Sequence, residues 1–229
     1  MRLLLLVIVL CPAVVNASEV DLFLSSLERD RLHILFVGLD DEPDFSGLDG
    51  DVYEQKIEDR IQQLKQMPQP NYYASVTHFN DRGDVLCMIV GKPFDSLTLY
   101  AIDILAHEVS HCYISSNARQ FREMRRAGVK ISTFQQLDRG EGDKDYSLHV
   151  QEVMADIGAM IILYAQDQYT LEQKQGYMDR LLKRRARVTP GLTHYTGHYL
   201  RHLQQEPGIL SHAESQFWHD PVRTMFTLG

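Results

Sequence analysis

The segment of this 229-residue chain best suited to chemistry is His107-Glu108-Val109-Ser110-His111. On a helix, residues four apart lie one above the other on one face, so the two imidazoles can converge on a single ion at N–Zn distances of about 2.0–2.1 Å. Glu108 is turned by about 100° from His107, near enough to reach a water on that ion without displacing it. A carboxylate so placed can take a proton as the water attacks a carbonyl. At the His and Glu frequencies of this chain, about 0.02 such patterns are expected by accident, which favours function over two structural histidines. Three polar side chains in an otherwise apolar helix would also each need a partner.

A second apolar stretch carries Glu152-Val153-Met154-Ala155-Asp156, again with polar groups four residues apart. Two buried acids without a cation are costly. The chain between His111 and Glu152 is long enough to leave one helix, cross the surface and return on another. Glu152 is therefore expected as a third metal ligand, with Asp156 accepting the free N–H of a liganding imidazole. His149, one turn earlier, competes for the same role. Choosing it would leave Glu152 and Asp156 as two acids with a single imidazole N–H between them, which favours Glu152. Asp103, one turn before His107, is a further candidate to support a ligand from behind.

Taken together, His107-Glu-Val-Ser-His111 and Glu152-Val-Met-Ala-Asp156 resemble the gluzincin superfamily of zinc metallopeptidases, whose thermolysin branch has HExxH followed by ExxxD. The ExxAD form is also similar to that of the CAAX-type endopeptidases and their periplasmic relatives. The resemblance implies one Zn2+ per chain held by His107, His111 and Glu152, Glu108 as general base, and Asp156 as the partner of His107. It further implies a zincin-like domain in which an edge strand from the hairpin at Tyr72–Gly91 pairs with an extended substrate peptide. The oxyanion stabiliser that such enzymes use has no unambiguous match. His194, Tyr195, His198 and Tyr199 are the candidates, with His202 continuing the four-residue spacing. The same stretch reads equally well as the polar face of a surface helix, and His198 with His202 as a second metal site is the weaker option.

The elements that must position these residues follow from periodicity. A strand is expected over Arg31–Gly38, a helix over Val52–Met67, and a hairpin from Tyr72–Phe79 and Val85–Gly91. Asp95 is the expected N-cap of a central helix from Ser96 to Ile114. A short helix at Ala118–Arg126, a buried helix from Leu148 to Gln166 and an amphipathic one from the capping box Thr170-Leu-Glu-Gln173 to Arg187 complete the prediction. The fold class is α+β: a small mixed sheet with an edge hairpin in residues 18–94, packed on a mainly helical part, 95–229, of one domain. The cluster Lys183, Arg184, Arg185 and Arg187 reads as a solvated helix end.

Composition sets the outer limits. At 44% hydrophobic and 24% charged, the chain reads as an ordinary globular domain. Its net charge of −8 argues against nucleic acid as partner. Residues 1–17, with an apolar run from Leu3 to Val15, read as a secretory signal peptide, and no later stretch is apolar enough for an integral membrane segment. Export would let Cys87 and Cys112 form a disulfide, which by its loop length is worth roughly 3 kcal/mol; two buried thiols are the equal alternative. The expected function is an exported, periplasmic or secreted zinc metalloendopeptidase acting on a peptide or protein substrate. The alternative is a non-catalytic exported metal-binding or assembly protein that keeps the metal helix as a structural element.

Overall fold

The computed structural model describes residues 19–29, 31–46, 48, 53–67, 72–126, 143–185, 196–197, 200–205 and 208–228. The proposed signal segment therefore lies outside the described residues.

The architecture is α+β, mainly helical with one small mixed sheet. Helix α1 (Glu19–Leu27) leads into strand β1 (Leu32–Gly38), helix α2 (Glu54–Lys65), and strands β2 (Tyr73–His78) and β3 (Val85–Gly91). The sheet order is β1-β3-β2. β2 and β3 form the expected antiparallel hairpin, whose turn holds Gly83 at a φ of 79°, a left-handed conformation that glycine adopts without strain. Asn80 fixes the same turn by accepting from the N–H groups of Arg82 and Asp84. β1 pairs in parallel with β3, from Leu32 opposite Val85 to Gly38 opposite Gly91.

The central strand β3 is buried on both faces, which is why Val85-Leu-Cys-Met-Ile-Val90 reads as an unbroken apolar run. Leu86, Met88 and Val90 pack with Ile57, Ile61 and Leu64 of α2. Cys87 and Ile89 point to the opposite side and join the main core, which contains α3 (Leu99–Ser116). After α3 come α4 (Ala118–Arg126), α5 (Asp143–Tyr164), α6 (Leu171–Arg185), α7 (Arg201–Gln205), α8 (Gly208–His219) and α9 (Pro221–Leu228). None of the described helices is long and apolar enough to cross a membrane.

Local chemistry explains where the expected boundaries hold and where they move. α6 opens on the capping box: Gln173 N–H donates to Thr170 Oγ1 at 3.3 Å and Thr170 N–H to Gln173 Oε1 at 2.8 Å. α3 does not start at the expected cap, Asp95. Thr98 caps it, with extended backbone and its hydroxyl accepting from Ala101 N–H at 3.2 Å. Leu97 is held outside the helix, its carbonyl accepting from Tyr169 Oη at 2.6 Å and its N–H donating to Glu19 Oε2 at 3.3 Å.

Cys87 and Cys112 are joined, with Cα atoms 5.7 Å apart, so the central strand is tied to the helix that carries His107 and His111. Alkylation of the unreduced protein is expected to label neither cysteine. Replacing Cys112 by Ser should lower unfolding stability by about 3 kcal/mol in urea titrations. Labelling of both residues without reduction would contradict the bridge.

Candidate metal centre

The site is built where α3 and α5 pack together. A Cβ on Gly158 would overlap the side chain of Ser110, so glycine is what lets α5 approach α3 one residue before His111. Ser110 turns its hydroxyl back onto the Ala106 carbonyl at 2.7 Å and asks nothing of α5.

His107, His111 and Glu152 come together there. His107 Nε2 and His111 Nε2 are 3.1 Å apart, Glu152 Oε2 is 3.3 Å from the first, and Glu152 Oε1 is 3.5 Å from the second. Ligands on a tetrahedron around zinc at 2.0–2.1 Å stand about 3.3 Å from one another. The three donors are thus spaced as one small cation requires, and the residues fit a metal ion. His149 is buried, yet it is not in this group.

Around the donors stands a layer of oriented charge. Asp156, almost wholly buried, has Oδ1 2.9 Å from His107 Nδ1, which directs Nε2 at the centre. Its carboxylate also accepts from Arg185 Nη2 at 2.6 Å and from the Thr196 hydroxyl. Burial pushes the Asp156 carboxyl up, but Arg185 and His107 prevail and hold it well below the usual carboxylate range. Glu152 is likewise lowered, because bonds to His107 and His111 overcome its burial. Burial alone would make His107 harder to protonate; Asp156 and Glu152 outweigh it and raise the imidazole to about 10. A metal ion bound at His107 Nε2 would compete with a proton for the same nitrogen.

Glu108 sits beside this group under different constraints. Burial raises its carboxyl, with the imidazoles of His107 and His111 pulling the other way. Among the described residues, no hydrogen bond or ion pair engages its side chain.

Asp103 is buried one turn away, close enough for its carboxylate and His107 to act on each other electrostatically. Its Oδ2 accepts from Tyr177 Oη at 2.8 Å and from Arg184 Nη2 at 3.2 Å. Of the basic cluster, Lys183 and Arg184 are exposed as expected and Arg187 lies outside the described residues, but Arg185 is not solvated: its side chain is 16% exposed and paired with Asp156. Met178, Leu181, Leu182 and Arg185 stand at i, i+3, i+4 and i+7, a pattern that assigns Arg185 to the buried stripe of α6 and could have identified it. Thr196 and Tyr177 were not signalled by any motif. His194, Tyr195, His198 and Tyr199 lie outside the described residues, as does the side chain of His202. No protein-family model, curated protein or solved structure matches the chain.

Proposed function

We propose that this protein is an exported zinc-dependent metallopeptidase of gluzincin type. The observation that carries the reading is the convergence of two imidazoles and one carboxylate at 3.1–3.5 Å beside a carboxylate, Glu108, that is not spent on a structural bond. Two His and one Glu suit zinc, and three protein donors leave a fourth position for water or substrate. When bound, the ion would supply Lewis acidity and a more acidic water. His107, His111 and Glu152 would hold it, and Asp156, braced by Arg185 and Thr196, would keep the His107 ring in the donating orientation.

Glu108 would then take the proton from the attacking water and pass it to the leaving amine, a role favoured by burial, which raises its carboxyl above the usual carboxylate range. In this reading β2, at the edge of the described sheet, is the strand beside which an extended substrate chain would pair. A disulfide between Cys87 and Cys112, and the apolar N-terminal run, support export. The test is hydrolysis of a degenerate peptide mixture followed by mass spectrometry. Cleavage should stop on chelation with 1,10-phenanthroline and return with added zinc; cleavage indifferent to the chelator would remove the metal from the mechanism.

A further inference from the structure

Beyond the metal centre, a pocket of about 560 Å³ opens between the first turn of α3 and α6. Its size is that of small-ligand sites, roughly 300–1,000 Å³. Tyr100, Tyr169, Tyr177 and Leu181 wall it, and Arg180 and Arg184 bring it two guanidinium groups. We propose that this pocket is a substrate subsite that accepts an aromatic side chain next to a carboxylate. The assignment rests on the peptidase reading and adds to it a class of substrate.

Three observations carry it. First, two of the rings are anchored: Tyr177 Oη donates to Asp103 at 2.8 Å and Tyr169 Oη to the Leu97 carbonyl at 2.6 Å. Anchored rings can receive an aromatic or other apolar group without losing rotamer freedom on binding. Tyr100, 49% exposed, completes the wall at the solvent side.

Second, the charge is right for an anion. The chain carries a net charge of −8, yet here Arg180 lies 5.7 Å from the centre of the Tyr177 ring and Arg184 lies 5.9 Å from that of Tyr100. Arg184 engages Asp103 through Nη2, which leaves further donors of its fork available. Arg180 makes no ion pair among the described residues. A planar guanidinium favours carboxylate over other polar groups through paired N–H donors.

Third, the pocket is in line with the metal centre. Tyr100, Asp103, His107 and His111 follow one another at steps of three and four residues, down one face of α3. The seven residues from Tyr100 to His107 span about 10 Å of helix axis. Asp103, between them, is buried beneath Tyr177 and Arg184 of α6, so the pocket neighbours the centre along α3 while α6 side chains cover the helix face that separates them.

The experiment measures binding, not turnover, using fluorescence polarisation and the full chain carrying Glu108→Gln. The probes are labelled octapeptides of one sequence that contain Phe-Asp, Phe-Asn or Ala-Asp at one site, with blocked ends, and a fourth that ends in Phe with either a free or an amidated terminus. The Phe-Asp peptide, or the peptide with the free terminus, is expected to bind at least tenfold tighter than its uncharged counterpart, and the arm that responds identifies the source of the carboxylate. Phe-Asp should likewise exceed Ala-Asp. Arg180→Glu, at an exposed position, should abolish the charge preference, and Tyr100→Ala should reduce the preference for Phe. Equal binding of charged and uncharged probes by the parent protein, or a preference that survives Arg180→Glu, would overturn the proposal. A charge preference in a protein that never cleaves peptides would spare the pocket and end the peptidase reading; cleavage with no such preference would do the reverse.

Discussion

Glu108→Gln is expected to lower peptide hydrolysis by at least about 10²-fold, the lower end of what a positioned acid–base group contributes. The amide keeps the size and most of the polarity of the carboxylate but cannot accept a proton. Because no described hydrogen bond depends on Glu108, the substitution should leave the fold and the metal content unchanged. Burial already disfavours the charged form, so a neutral amide costs nothing in solvation there and can even stabilise the apo protein. Hydrolysis within a few-fold of the parent enzyme, with metal retained, would exclude Glu108 as the base.

The second large effect separates Glu152 from His149. Glu152→Ala should weaken zinc binding by more than the ~10–100-fold that outer-layer changes cause, because it removes a donor whose oxygens lie 3.3 and 3.5 Å from the two imidazoles. It would also leave His107 and His111 facing each other at 3.1 Å with no anion between them. His149→Ala removes a buried side chain that is not part of the donor group, so it should cost stability but little metal affinity. Competition with a chromophoric chelator measures both. The reverse order of affinities would move the third ligand to His149.

Much of the candidate site was legible because the helix repeat brings residues four apart together, whatever the tertiary context. His107 with His111, and Glu152 with Asp156, are polar pairs in apolar surroundings, and burial forces such pairs to find each other. The capping box at Thr170 and the hairpin turn at Asn80 were legible for a similar reason, since both are closed by bonds among near neighbours in sequence. What failed depends on distant partners. Leu97 leaves the helix because Glu19 and Tyr169 bind its backbone, and neither is near it in the chain. Arg185 reads as a solvated charge beside Lys183 and Arg184, although the apolar stripe of α6 ends on it. The parallel pairing of β1 with β3 needs a crossover through α2, which short-range patterns do not encode.

The central claim is that a catalytic zinc sits among His107, His111 and Glu152, and metal stoichiometry tests it most directly. Protein purified without chelator and without a histidine tag should contain one zinc per chain by elemental analysis, and Glu152→Ala prepared in the same way should contain far less. A protein that is folded and carries no transition metal, and that takes up none when zinc is supplied, would contradict the account.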